Sequence, residues 1–245
     1  MRYELMRPAQ IRAAIAAGTP VVLPLGVLEY HGEHLPSGMD SLAVTRVLDR
    51  LEQERDLVIL PAFPYGAASH AVRGPEGGTV QVGAEALVPF AQALFLGLLR
   101  VGFRNIHAVI HHQTENFVQG MPTDLAFRLA ARQAVFQLLE AERGEGWWGG
   151  EGNAGYYAGH AAGANPFNWV QVHPLMDARL IEAFHFDHAG LGETALMLAL
   201  APETVDMSAL GPDTPWYVAG AEAATANEGE RGVALILDRL RALLL

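Results

Sequence analysis

Short β-rich apolar runs alternate along this chain with longer segments of helical period, and that alternation constrains the fold more than any other feature. Val21-Val22-Leu23-Pro24-Leu25-Gly26 reads as a strand that stops at a glycine, and residues 8–17 read as a helix closed by Gly18 and Pro20. Residues 41–55 carry Leu42, Val44, Val47, Leu48 and Leu51 at helical spacing, with Arg and Glu on the other face. Residues 57–60 form the next strand and 79–82 a further short one; a helix over 84–101 then leads into a strand over 106–110. A long amphipathic helix over about 116–142 and helices over 189–200 and 230–245 complete the pattern. The expected architecture is a layered α/β domain with a mainly parallel sheet, and 245 residues are within reach of one such domain spanning 1–245.

Residues 84–103 are the most apolar stretch, but Glu85, Pro89, Gln92, Gly97 and Arg100 interrupt it. It falls short of the ~18 consecutive apolar residues of a membrane span and is expected to be a buried helix of a soluble protein. The opening Met-Arg-Tyr-Glu-Leu lacks the apolar run of a signal peptide, so the expected location is cytoplasmic, with no membrane partner. Composition removes further classes. With no Cys, disulfides, iron–sulfur clusters, thiolate zinc sites and cysteine nucleophiles are excluded, which leaves His, Asp and Glu as the strong metal ligands. All 16 basic residues are Arg, so there is no P-loop or Schiff-base lysine. A net charge of −11 argues against nucleic acid as a partner.

Residues 144–166 change character: the run is too glycine-rich to pack as an element, yet it carries Trp147 and Trp148 side by side. Two large aromatics in such a segment suggest a functional loop or lid that folds over a flat substrate; a surface loop tucked against a subunit interface is the alternative.

Three clusters carry the chemistry. The first, Glu29-Tyr-His31-Gly-Glu33-His34-Leu-Pro36-Ser-Gly-Met-Asp40, begins where the first strand ends, at the edge where open parallel sheets place ligands. Glu29 and His31 are two apart, so an extended backbone points them the same way, and Asp40 follows at the entrance to the next helix. The plainer alternative makes Asp40 an N-terminal helix charge and His31 a hydrogen-bonded loop residue. The second cluster, His111-His112-Gln113-Thr114-Glu115-Asn116, again follows a strand, so His112 and Glu115 are expected to face Glu29, His31 and Asp40 across the same sheet edge. Five nitrogen and oxygen donors, three of them carboxylates, suit two divalent ions bridged by one carboxylate, with zinc, manganese and iron(II) as candidates. The third cluster, Asp187-His188-Ala189-Gly190-Leu191-Gly192-Glu193-Thr194, offers His188 for acid/base work or substrate contact, or as a structural histidine, and Glu193 to cap or brace nearby loops. His34 and His70 are either ligand-orienting or catalytic; His107, His160, His173 and His185 are taken as structural.

At these residues the sequence resembles the creatininase family, the creatinine amidohydrolases. The resemblance runs through Leu23-Pro24-Leu25-Gly26, Glu29-x-His31-Gly-x-His34-Leu-Pro36 and Asp40, then Pro64-Tyr65-Gly66-x-x-Ser69-His70 and Gly78-Thr79, Gly102-Phe103-Arg104, and His188-Ala189-Gly190-x-x-Glu193-Thr194. It implies a three-layer α/β/α domain, a hexameric assembly, and a two-metal centre that hydrolyses a C–N bond, often in a cyclic amide. It also implies Glu29, His31 and Asp40 as ligands with Asp40 bridging. Ser69, His70, Trp147 and Trp148 are the candidate substrate contacts. The chain departs from the family at 111–116. Counting forward from Gly102-Phe103 puts His112 on the ligand position, and counting back from Glu115-Asn116 puts Gln113 there; the strand anchors register, so His112 is the expected ligand.

The expected activity is therefore a metal-dependent amidohydrolase acting on a small cyclic substrate, with Glu115 or His188 delivering a proton to the leaving group. The rival within enzymes is a ring-opening C–C hydrolase of a cyclic polyol ketone of the inosose type. The rival outside enzymes is a non-catalytic metal-bound scaffold, against which stands the surplus of His34, His70 and His188 around five candidate ligands.

Overall fold

Of the four parallel strands among the described residues, three end flush along one edge and carry everything that follows. The structure is a computed structural model and describes residues 1–163, 165–212 and 214–244. In chain order the elements are α1 (Pro8–Ala16), β1 (Val21–Leu25), α2 (Met39–Glu52), β2 (Val58–Ile59), α3 (Ala84–Val101), β3 (Ile106–Ile110), α4 (Pro122–Arg143), α5 (Tyr156–Ala161), β4 (Val170–Pro174), α6 (Ala178–Ala183), α7 (Leu191–Leu200) and α8 (Ala226–Leu243). The strand order is β2-β1-β3-β4, and the register pairs Leu25 with Ile110 and Ile110 with Pro174. Every residue of β1 and β3 is buried, because helices cover both faces of the sheet. Pro24, in the middle strand, sits beyond the two residues of β1 that pair with β2, so its missing N–H breaks no ladder bond.

Alternate residues of each strand feed two cores. Val22 and Val109 pack with residues of α2, α7 and α8 on one face. Leu23, Leu25, Ala108 and Ile110 pack with residues of α1, α3 and α4 on the other. This is the three-layer α/β/α domain that the resemblance implied.

Several local expectations are corrected. Residues 79–82 form no strand, only a bridge between Gly66 and Gln81; Thr79 and Val80 instead brace the loop after β1, where Thr79 Oγ1 accepts the Tyr30 N–H (3.1 Å). The helix expected from about 116 starts at Pro122, a residue that initiates a helix well because its missing N–H is not needed there. Within 144–166 the described residues do pack as elements: two short 3-10 turns, Trp147–Gly149 and Glu151–Asn153, and α5. Strand β4 and helix α6 had no counterpart in the sequence reading. The expected helix over 189–200 begins at Leu191, and α8 begins at Ala226, capped by Thr225 Oγ1 accepting the Glu228 N–H (3.2 Å); residue 245 lies outside the described residues. Helix α3 is long and apolar enough to cross a membrane by length and composition, with a mean hydropathy of 1.5. It is not fully buried as expected: Leu87, Ala91, Phe95, Leu98 and Leu99 line the face turned to the core, while Phe90 and Val101 are exposed.

Candidate metal centre

Gly26 follows directly on β1, and the first turn of α2 lies against it. A Cβ on this residue would stand 2.4 Å from the Ser41 amide nitrogen and 2.8 Å from the Asp40 carbonyl carbon, so only glycine lets the helix approach so closely. That approach delivers Asp40, 1% exposed, to the strand end. Between them the loop folds back, with the Glu29 N–H donating to the Ser37 carbonyl (3.0 Å). His31 Nδ1 donates to the Glu29 carbonyl (3.1 Å), which leaves Nε2 as the nitrogen turned to the acids and, once deprotonated, able to bind a cation. That Nε2 faces Asp40 Oδ1 at 3.4 Å, Glu193 Oε2 at 3.7 Å and Glu29 Oε1 at 3.9 Å.

The end of β3 adds His112, whose Nδ1 lies 3.3 Å from Asp40 Oδ2 and 3.4 Å from Glu29 Oε1. Asp40 thus turns one oxygen toward each imidazole. Of the two residues in question at this position, the structure brings His112 to the carboxylates; Gln113 forms the apex of a tight turn at φ 50°, closed by the Thr114 N–H on the His112 carbonyl (2.6 Å). His188, from the loop before α7, donates from Nε2 to the Tyr30 carbonyl (2.9 Å), tilts its ring onto His31 (centroids 4.5 Å apart) and holds Nδ1 3.6 Å from Glu29 Oε1. Three overlapping sets of donor atoms result, each within 4.8 Å: Glu29, Asp40 and His112; His31, Asp40 and Glu193; and Glu29, His31 and His188.

These residues fit a divalent cation. Glu29 Oε1, His31 Nε2, Asp40 Oδ2 and both ring nitrogens of His112 are buried with no hydrogen-bond partner among the described residues, an arrangement that is costly unless something else satisfies them. Burial alone would lower the two imidazoles, but Glu193, Asp40 and Glu29 raise His31 to about 9, and Asp40 and Glu29 raise His112 to about 10. Against its own burial, Asp40 is held below the ordinary carboxylate range by His31 and His112. The cluster therefore neutralises itself by holding protons on its histidines, and a cation would take their place. Nitrogen and carboxylate donors in this mix suit zinc, manganese or iron(II).

The remaining expected residues fall in different places. Glu115 is in none of the three donor sets; its Oε1 meets His111 Nδ1 at 3.1 Å. His34 is buried, with Nε2 2.9 Å from Thr194 Oγ1. Ser69 and His70 are exposed, and the residue of that stretch which reaches the loop after β1 is Arg73, whose guanidinium lies 4.8 Å over the Tyr30 ring. Trp147 packs on Phe167 and lies under Arg143, and Trp148 meets Tyr156 edge-on; among the described residues neither aromatic stacks on a ring of the donor clusters. A lid closing over the centre of the same chain is not what these contacts describe. His107 and His173 pair at 3.1 Å, and burial lowers them to about 4 and about 3, in keeping with structural roles. Residues the sequence reading passed over are His111, Arg73 and Tyr217, and Glu193 as a donor rather than a brace. A cavity of about 220 Å³ opens beside Tyr30, Gly32 and Arg73. A roomier hollow of about 630 Å³ lies between α4 and β4, away from every donor set, and its charged lining is Arg128 and Arg132.

Residues 4–244 match the family model described as Creatininase: creatinine amidohydrolase. The chain belongs to the creatininase family. Creatinine amidohydrolase of Pseudomonas putida is 27% identical over 205 residues, covering 81% of this chain and 71% of that creatininase. The 3-dehydro-scyllo-inosose hydrolase of Thermotoga maritima is 28% identical over 103 residues, 42% of this chain and 32% of that protein. A solved structure of manganese creatininase shares the fold with a TM-score of 0.72 at 22% identity, over 99% of this chain and 98% of that one. The creatininase relatives are hydrolases, and the fold that carries their chemistry is the one described above.

Proposed function

We propose that this creatininase-family chain is a divalent-metal-dependent hydrolase that adds water to a carbonyl of a small cyclic amide-like substrate and cleaves its C–N bond. The observation that carries the reading is Asp40, with its two oxygens turned to two different buried imidazoles whose facing atoms lack partners. Glu29, His31, Asp40 and His112 would hold two ions, with Asp40 shared. Ions held there would lower the pKa of bound water toward 7 and polarise a carbonyl. His188 is suited to move the proton: its Nε2–H is committed to the Tyr30 carbonyl, so Nδ1 stays free on the partly exposed side of the cluster. Tyr217, edge-on to His188 with centroids 5.4 Å apart, offers an aromatic wall for a flat ring. Glu115, behind His111, is not assigned the proton transfer.

A second reading is ring opening of a cyclic polyol ketone by C–C hydrolysis, favoured by the identity to the inosose hydrolase. Both reactions begin by adding water to a polarised carbonyl. Purified protein loaded with zinc or manganese would be assayed against lactams and cyclic ureides beside inosose ketones. Turnover of the first group that vanishes on chelation and returns with metal is the expected result; full turnover in chelator would refute metal dependence, and turnover of the ketones alone would favour the second reading. Exposed Phe90, Leu125, Leu129 and Phe136 on α3 and α4 support assembly as a homo-oligomer, a hexamer by the resemblance, which light scattering would test.

A further inference from the structure

We propose that Glu193, not Glu115, is the carboxylate ligand beside His31 and Asp40, and that His111 and Glu115 form a positioning pair that holds it there. The inference deepens the metal-centre reading and rests on it. Glu193 is 3% exposed and both its oxygens are directed: Oε2 accepts the Ala189 N–H at 2.7 Å and lies 3.7 Å from His31 Nε2, while Oε1 lies 3.1 Å from His111 Nε2. His111 is wholly buried, and its other nitrogen, Nδ1, lies 3.1 Å from Glu115 Oε1. Phe186 closes over the ring edge-on, with centroids 5.2 Å apart. A carboxylate–imidazole–carboxylate line therefore runs outward from the donor cluster, and Glu115 is at its far end.

The turn at Gln113 explains why Glu115 is displaced. Glu115 follows His112 by three residues, and the left-handed Gln113 spends the intervening length turning the chain back, which sends the Glu115 side chain beneath His111 instead of beside His112. Glu193 reaches the vacated position from the first turn of α7. Outer partners that orient a ligand typically change metal affinity about 10–100-fold when lost, whereas a lost ligand removes the ion.

The test compares Glu193→Gln, Glu115→Gln and His111→Asn with the wild type. Metal content after loading with zinc is measured by elemental analysis, affinity by calorimetry, and the visible spectrum with cobalt(II) as probe. Two ions in the wild type, one in E193Q, and two in E115Q and H111N with the weaker ion loosened about 10–100-fold, would support the assignment. E115Q, which leaves every proposed donor in place, should keep the cobalt band pattern, and E193Q should alter it. One ion in E115Q with two in E193Q would overturn the assignment and restore Glu115 as the ligand. E115Q and H111N with wild-type affinity would overturn the positioning pair. If E193Q fails to fold, the two outer variants still decide. A wild type that binds no divalent ion would instead refute the metal-centre reading itself, an outcome distinct from all of these.

Discussion

Replacing Gly26 by Ala should disable the metal centre from a position that touches no ion. The added Cβ would stand 2.4 Å from the Ser41 nitrogen, where ordinary contact starts at 3.4 Å, so strand end and helix must separate by about 1 Å. Both sides of that contact are backbone, so no side chain can rotate away. Overpacking of this kind costs about 1–3 kcal/mol. At about 2–4 °C per kcal/mol for a domain of this size, the melting temperature should fall by about 2–12 °C. The larger effect is on binding. Metal–ligand distances tolerate about 0.2 Å, and a shift several times greater carries Asp40 away from both imidazoles at once. Affinity at both positions should fall by at least about 10–100-fold. Gly38→Ala is the control, because its Cβ would meet nothing closer than 3.7 Å at the cap of the same helix, and it should bind as the wild type does. Calorimetric titration and thermal unfolding of both variants measure these effects. A G26A protein that binds two ions at wild-type affinity would refute the link between the strand-end glycine and the site.

Metal-free protein should lose stability as pH rises: His31 and His112 are raised in the folded state to about 9 and about 10, so their contribution is full below the unfolded value near 6.5 and is lost as pH climbs through 9–10. Thermal scans at pH 6, 8 and 10 should show this decline without metal and less of it with metal; a flat metal-free profile would count against the protonated cluster. Metal binding near pH 7.5 should release protons, seen as a dependence of the calorimetric heat on buffer ionisation enthalpy. His188→Gln should lower kcat about 10²–10⁴-fold with metal content unchanged, and loss of metal instead would make His188 a ligand. Trp147→Ala should lower the melting temperature through its lost contact with Phe167, and Trp148→Ala should leave kcat and KM unchanged; a marked rise in KM without destabilisation would return both tryptophans to a lid.

The part of the site that was legible in the sequence is the part built locally. Glu29 and His31 belong to one loop between a strand and a helix and Asp40 to the first turn of that helix, and the glycine that follows the strand marks where they start. Helix α3 and strand β3 were likewise readable to the residue, because Gly83 and Gly102 bound one and a continuous apolar run defines the other. What could not be read is pairing at a distance. His111 and Glu193 are 82 residues apart, and nothing in either segment announces the other. Glu115 was read as a ligand because a Glu near a strand-end histidine usually suffices for that inference; the turn that diverts it depends on one residue in a left-handed conformation. Strand β4 was hidden for a different reason. Its alternation, Val170-Gln171-Val172-His173, is clear, but it follows a glycine-rich segment whose short helices have no strong period.

Asp40 also has a thermodynamic meaning. With two ions held as proposed, one carboxylate would serve both donor sets and the two positions would not fill independently: an ion at either one would fix the rotamer and charge of a group the other needs. By reciprocity, whatever factor the first ion applies to the affinity of the second, the second applies to the first. A titration should then follow a coupled isotherm in place of two separate ones, and a substitution at Glu29 should register at His31 as surely as at His112. Exchanging one metal for another at a single position would re-tune its neighbour as well, so the pair would be selected together.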